Sequence, residues 1–185
     1  MNSLKQAVPQ NIWQALENHK ALNEKLLWNL LSYRLRLLTP YEIASRTQCT
    51  EGLENLLKQA ANCTNLEEAV TMCSNKRYPA TRIRRLFMQL VLDKERCYLE
   101  QAEPAYIRVL AFNDTGRQLL KVMKETATLP IITKLGKNPS NGQSLAFTQQ
   151  LELELAASDV LALLQNTPTP MGSDFLNSPY YYKNR

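Results

Sequence analysis

The sequence predicts a mainly helical α+β protein, a multi-helix domain that carries one small βαβ element. Two observations lead to this prediction. Apolar residues recur at helical spacing from residue 11 to about residue 92. After residue 104 the pattern changes to two short runs rich in β-branched and aromatic residues, YIRVLAF at 106–112 and LPIITKL at 129–135. Two strands separated by one helix are expected to pair in parallel through a right-handed crossover.

The first segment, residues 11–38, carries an apolar stripe that begins at Trp13 and predicts one helix or two consecutive helices. Thr39 and Glu42 then form the pattern of a capping box, and the proline between them fits the first turn of a short helix.

Three further helices are expected before residue 93. They cover residues 51–61, the segment from Asn65 to Met72, and the segment from Pro79 to Leu92. Eight side chains on the apolar faces of the predicted helices, including the first segment, are expected to be buried: Leu30, Leu31, Leu35, Leu56, Ile83, Leu86, Phe87 and Leu90.

The remaining chain has a helix after Asn113 and a long helix over 145–164. Aromatic residues in the tail suggest that part of it packs on the body. The predicted divisions are an artificial start or linker (1–10), a helical region with a basic helix (11–104), a βαβ unit with a long helix (105–165), and an irregular tail packed on the body (166–185).

The basic character of the chain is local. The chain has 185 residues and a net charge of +5. The segment from Lys76 to Arg96 holds seven cations and two anions, a local excess equal to the charge of the whole chain. The rest is therefore balanced, and a polyanionic partner is expected at this segment rather than over the whole surface.

Several classes of protein are disfavoured. The cysteines form no C-x-x-C pair and only one histidine, His19, is present, so we expect reduced thiols and no metal site. The start of the chain is no signal peptide and no apolar run reaches the length of a membrane span. We therefore expect a soluble, cytoplasmic protein without a membrane partner.

No catalytic or cofactor-binding constellation stands out. Only one glycine, Gly116, lies at a strand-to-helix turn, where it suits a turn better than a phosphate cradle, and its neighbour Arg117 is expected to be solvated. The acidic pairs Glu67/Glu68 and Glu152/Glu154 fit a helix start and a solvated face. We predict no catalytic, cofactor-binding or metal-binding residue.

The segment SNKRYPATRIRRLF, residues 74–87, is the remaining candidate site. One interpretation is a solvated amphipathic helix, and the other is contact with RNA phosphates, with an aromatic ring stacked on a base. The candidate RNA-binding residues are Lys76, Arg77, Tyr78, Arg82, Arg84 and Arg85.

Six phrases in register resemble one known family. They cover almost the whole chain from residue 9 to 182: LLSYRLRLLTPYEIA, EGLENLLKQAA, NKRYPATRIRRL, YIRVLAFNDTGRQLL, LPIITKL and GSDFLNSPYY. Together they resemble the C-terminal half of bacterial tRNA(Met) cytidine acetate ligase, a nucleotidyltransferase-like family.

The resemblance implies a function. Members of that family use ATP and acetate to make acetyl-adenylate and then acetylate the wobble cytidine of elongator tRNA(Met). Their ATP site belongs to an N-terminal nucleotidyltransferase domain with a His-x-Gly-His motif, which this sequence lacks. The expectation is a C-terminal tRNA-binding domain that is inactive alone, binds no ATP or acetate, and has elongator tRNA(Met) and the missing N-terminal domain as partners.

An alternative stays open at this point. The aromatic tail and the apolar helix faces also fit a protein-interaction or dimerisation module that makes no direct contact with RNA. The two hypotheses differ in whether Arg82 and Arg85 share one continuous positive surface with Lys76 and Arg77.

Overall fold

The computed structural model describes residues 22–49, 51–93 and 103–183. In these ranges the chain forms eight α-helices, one short 3₁₀ helix and four strands of two residues each. The elements are α1 (Glu24–Leu37), α2 (Pro40–Thr47), α3 (Leu53–Gln59), the 3₁₀ helix (Ala60–Asn62), α4 (Leu66–Cys73), α5 (Ala80–Val91), β1 (Ile107–Arg108), β2 (Ala111–Phe112), α6 (Asp114–Thr126), β3 (Ile131–Ile132), α7 (Leu145–Leu163), α8 (Ser173–Leu176) and β4 (Tyr180–Tyr181). The mainly helical prediction is confirmed, while the stripe that begins at Trp13 starts outside the described residues.

The predicted helix starts are built as the sequence indicates. Thr39 Oγ1 accepts the backbone N–H of Glu42 at 3.2 Å, and a Glu42 carboxylate oxygen accepts the backbone N–H of Thr39 at 2.8 Å. This is a complete capping box at the start of α2. Asn65 likewise accepts the backbone N–H of Glu68 at 2.9 Å and begins α4.

Helices α1 to α5 enclose the larger of two hydrophobic cores. Nineteen buried side chains between Trp28 and Leu90 form it among the described residues. Six of the eight predicted core residues are buried, and two predictions are wrong: Leu30 is half-buried and Leu56 is 36% exposed. In α3 it is the next residue, Leu57, that faces the core, at 0% exposure.

Polar contacts close the ends of this helical region. The Lys58 ammonium donates to three backbone carbonyl oxygens at the end of α1, those of Leu35, Arg36 and Leu38, each at 2.8 Å. These carbonyls have no partner within the helix, so the lysine acts as a C-terminal cap supplied by α3.

Asp93 follows α5 and forms ion pairs with Arg34, in the last turn of α1, and with Arg46 of α2. The hydrogen bond from Arg46 and the neighbouring charge of Arg34 hold the pKa of Asp93 below its ordinary value.

The predicted parallel strands are present in shorter form. Strand β1 pairs in parallel with β3, with Ile107 opposite Ile131. The run 106–112 is not one strand, because β2 leaves this pair and pairs in parallel with β4 of the tail, with Phe112 opposite Tyr181. The tail therefore contains a strand that the sequence did not predict.

The smaller core lies between the strands and α7. Leu135, Phe147 and Leu151 are buried there, and Tyr106 packs against Phe147 with ring centroids 5.0 Å apart. Helix α6 has no buried residue.

A half-buried polar network lies beside this smaller core. The Arg108 side chain is 15% exposed. Its Nε lies 3.6 Å from Oε1 of Glu154 in α7, and its Nη2 lies 3.9 Å from Oδ2 of Asp174 in α8. The hydroxyl of Tyr106 donates to the same Glu154 carboxylate.

The two regions meet where α1 begins and α7 ends. The backbone N–H of Asn23 donates to the carbonyl oxygen of Leu164 at 2.7 Å, and Leu22 bridges Gln165. In the part of the chain that the structure describes, none of the helices combines the length and apolarity that a bilayer crossing requires.

Candidate functional site

The turn before α5 is organised by one asparagine. The Asn75 side-chain oxygen accepts the backbone N–H groups of Arg77 and Tyr78, both at 2.9 Å. The backbone N–H of Asn75 also donates to the carbonyl oxygen of Tyr78 at 2.9 Å. This closed turn holds Lys76 and Arg77 on the surface just before the helix.

The register of α5 then places further cations beside them. Pro79 caps the helix, and Ile83, Phe87 and Leu90 are all at 0% exposure, so this face is fixed against the core. Arg82 and Arg85 are directed away from that face, with Arg85 exposed and Arg82 half-buried.

Four of the six predicted site residues line one open groove of about 820 Å³. They are Lys76, Arg77, Arg82 and Arg85. No acidic residue lines this groove within the described part of the chain. These four cations therefore share one surface, while contact with RNA stays a prediction.

The cations differ in their partners. Arg77 forms an ion pair with Glu51, and Arg84 forms one with Glu67 at the start of α4. For the other three, Lys76, Arg82 and Arg85, no carboxylate among the described residues lies within ion-pair distance. Arg84 does not line the groove, so the structure separates it from the other four.

Tyr78 does not offer its ring to a base. The side chain is only 4% exposed and belongs to the larger core. The guanidinium of Arg82 lies 4.6 Å above its ring centroid and that of Arg77 lies 5.8 Å away. Stacking of this ring on a base stays a prediction that the burial of Tyr78 does not favour, and in the structure the ring contacts two arginines by cation–π interaction.

Two polar residues of the groove were missed by the sequence analysis. Thr81 and Gln89 line it together with Arg85. The three lie at i, i+4 and i+8 of α5, a spacing that could have found them. Gln89 Nε2 donates to the carbonyl oxygen of Arg46 at 2.9 Å, so the groove floor is tied to α2.

The groove combines charge with apolar surface. Leu86, Met88 and Leu92 supply its apolar wall. Unpaired guanidinium and ammonium groups beside such a wall suit a ligand that carries both phosphates and a planar base. The volume is within the usual range for a small-molecule site, and the open shape also admits a polymer.

The thiols supply no comparable chemistry. Burial raises the pKa of Cys73 to about 12, and it also raises the pKa of Cys49 and of Cys63. Among the described residues no group of three or more His, Cys, Asp or Glu side chains is placed to hold a metal ion. Cys97 and His19 lie outside those residues.

Comparison with known proteins gives the family context. A sequence model of the HIGH nucleotidyl transferase family matches residues 1–174. The chain is 39% identical over 158 residues to the tRNA(Met) cytidine acetate ligase of Alkaliphilus metalliredigens, covering 80% of this chain and 36% of that protein. It is 34% identical over 151 residues to the enzyme of the same name from Thermoanaerobacter pseudethanolicus, again covering 80% and 36%.

Solved structures agree with the sequence relatives. Apo TmcAL of Thermotoga maritima superposes with a TM-score of 0.73 at 25% identity, covering 84% of this chain and 40% of that one. The form of the same protein bound with alpha-thio ATP gives the same TM-score and identity, covering 84% and 41%. The chain thus spans less than half the length of the relatives it matches.

These findings correct three expectations from the sequence. The nucleotidyltransferase part is not missing, because the family model covers almost the whole chain. The interpretation as a C-terminal tRNA-binding domain is therefore wrong. The expectation that the chain binds no ATP is wrong as well. The comparisons give no support to a separate N-terminal domain as a partner. His19 is the one histidine of the sequence, so the sequence contains no His-x-Gly-His motif. The residues of that motif therefore cannot be assigned in this chain.

Proposed function

The chain belongs to the HIGH nucleotidyl transferase family, and we propose that it serves the ATP- and acetate-dependent modification of a cytidine in tRNA(Met). The names of the relatives support the reaction and the RNA substrate, and the neighbour solved with alpha-thio ATP supports the nucleotide. Because tRNA is a cytoplasmic substrate in bacteria, we place the activity in the cytoplasm.

One observation carries the proposed contact with tRNA: Lys76, Arg77, Arg82 and Arg85 line the same groove, and no acid of the described part of the chain lines it. Phosphate contacts supply most of the affinity of such an interface and position the RNA without reading its sequence. In this proposal Lys76 and Arg85 are the most available contacts, since both are exposed and neither is paired with a described carboxylate.

Arg77 and Arg82 take a second role in the same contact. Arg77 exchanges its partner Glu51 for a phosphate, and Arg82 is held over the Tyr78 ring so that its guanidinium faces the groove. A guanidinium already oriented by a ring loses less side-chain entropy when it binds.

ATP is the second candidate ligand of the groove. Its volume of about 820 Å³ accommodates a nucleotide, the cations meet the triphosphate, and the wall of Leu86, Met88 and Leu92 meets the base. ATP and tRNA phosphates would then compete for the same side chains.

The sharpest test compares two neighbouring arginines of α5. Arg85→Ala removes an exposed cation from the groove, whereas Arg84→Ala removes one that is paired with Glu67 outside it. Both variants change the net charge equally. Affinity for elongator tRNA(Met) is measured by fluorescence anisotropy at several salt concentrations, and ATP affinity by calorimetry.

We expect log affinity for tRNA to fall against log salt with a slope of about −2 to −4, because each contact contributes roughly −0.7 to −0.9. Arg85→Ala should flatten this slope by about one contact, and Arg84→Ala should leave it unchanged. If the two variants behave alike, the groove is not the RNA contact. If Arg85→Ala weakens ATP alone, ATP is the ligand of the groove and the tRNA contact is excluded.

A further inference from the structure

A second basic groove, with a volume of about 440 Å³, lies in the other region of the molecule. It is walled by α6, by the turn after β3 and by the segment that leads into β4. Among the described residues, its four cations are Arg117, Lys121, Lys124 and Lys134, and none of its lining residues is acidic.

Three of these cations form a row on one helix face. Arg117, Lys121 and Lys124 stand at i, i+4 and i+7 of α6, and all three are exposed. Seven residues of α-helix rise about 10 Å. Lys134 comes from the turn after β3 and lines the same groove. Among the described residues no carboxylate lies within ion-pair distance of any of the four.

Arg117 is held in place by the tail. Its guanidinium lies 4.8 Å from the ring centroid of Tyr181, and the Tyr181 hydroxyl donates to Asp114 Oδ1 at 2.6 Å. Asp114, the acid in the first turn of α6, is thus engaged by the tyrosine. The expectation that Arg117 is simply solvated misses this arrangement.

The row brings like charges close together in the free protein. Arg117 and Lys121 stand four residues apart on α6, a spacing at which like charges repel each other. A bound anion would remove the repulsion, and the hydroxyls of Thr133 and Ser178 in the groove would add donors for phosphate oxygens.

We infer that this groove binds consecutive phosphates of an RNA backbone, as a second contact for the same tRNA. A row about 10 Å long suits a polymer of evenly spaced charges better than one compact anion. The groove, called the α6 groove below, has about half the volume of the first groove, called the α5 groove. The inference rests on the proposed function, because it assumes that the partner of the first groove is RNA.

The test uses the chain with Lys121→Ala and Lys124→Ala combined. The control combines Lys25→Ala with Lys137→Ala, which removes two exposed lysines that line neither groove. Both pairs change the net charge by two. Anisotropy titrations with elongator tRNA(Met) are run at several salt concentrations, and thermal melts check that each variant is folded.

We expect the Lys121/Lys124 variant to flatten the salt slope by roughly 1.5 and the control pair to leave it unchanged. Equal slopes for the two pairs would overturn the inference. The proposed function then still stands if Arg85→Ala flattens the slope, and both fail if no variant does. If the Lys121/Lys124 variant loses affinity for free ATP but not for tRNA, the groove binds a compact anion. Binding of an RNA backbone in this groove is then excluded.

Discussion

The helical region formed by α1 to α5 and the mixed region from β1 to β4 are held together by different forces. Among the described residues, the buried cluster of the first contains nineteen side chains, including Phe87, whereas that of the second contains three, including Phe147. In their place the second region has Arg108, Glu154 and Asp174 joined across three elements. Hydrophobic burial is nondirectional and tolerates repacking, but an ionic network holds only when every partner is present.

The two basic grooves follow the same division. The α5 groove lies on a helix whose opposite face is fully buried, so its cations are positioned by a large core. The α6 groove lies on a helix without any buried residue and is positioned by the aromatic contacts of the tail. We therefore expect the first groove to be the more rigid of the two.

The largest effect is expected from Phe87→Ala. Phe87 is at 0% exposure in the larger core, so the lost contacts and the cavity should lower the free energy of unfolding by about 3–5 kcal/mol. Urea unfolding followed by circular dichroism measures this value. Hydrogen exchange followed by mass spectrometry then shows whether β1 to β4 lose protection together with α1 to α5. If they do, the two regions unfold as one unit and the comparison between them breaks down.

A somewhat smaller effect is expected from Arg108→Met in the second region. The methionine keeps much of the apolar stem but leaves the half-buried Glu154 and Asp174 without their cation, which should cost roughly 1–3 kcal/mol. Adding Glu154→Gln and Asp174→Asn should recover part of this loss, because the uncompensated charges are then gone. A double-mutant cycle from urea unfolding checks the recovery, and losses that simply add would mean that the three charges are independent.

The smallest effect concerns the pH dependence of the helical region. The pKa of Asp93 is lowered by its hydrogen bond from Arg46 and by the charge of Arg34, so its ion pairs stabilise the fold fully above the unfolded pKa of about 3.9. This contribution is lost as the pH falls through the lowered pKa. Its side chain is 52% exposed, so we expect less than about 1 kcal/mol.

Asp93→Asn isolates that contribution from the other carboxylates. The difference in unfolding free energy between the natural chain and this variant should be constant near neutral pH and shrink below about pH 4. Urea unfolding at a series of pH values measures it. A difference that stays constant down to pH 2 would show that Asp93 is not the titrating group.

What could be predicted from the sequence follows the strength of its local signals. The capping box at Thr39, the Asn65 cap and the buried face of α5 depend on residues three or four positions apart, and each is confirmed. The positions of β2 and β4 could not be predicted, because their pairing joins Phe112 to Tyr181 across a long stretch of chain. The exact register of α3 could not be predicted either. Leu56 was expected in the core, but the neighbouring Leu57 takes that position.

The candidate site divides in the same way. Helical spacing was enough to direct Arg82 and Arg85 away from the core face of α5, but it did not show that they share a groove with Lys76 and Arg77. It was not enough to show that Tyr78 is buried, because that depends on a turn closed by Asn75 and on packing against distant helices. Local patterns also could not predict the ion pairs of Arg77 and Arg84, because their acidic partners lie in other parts of the sequence.

The pairing of β2 with β4 also sets an order of events during synthesis. A ribosome makes the chain from its amino end, and helical contacts close in sequence can form as soon as they emerge. The lining of the α5 groove ends at Leu92, so that surface can form while the rest is still being translated. The α6 groove needs Ser178, Pro179 and Tyr181, which arrive more than sixty positions after Phe112. A chain stalled between these points would present the first basic surface with the second still unfinished.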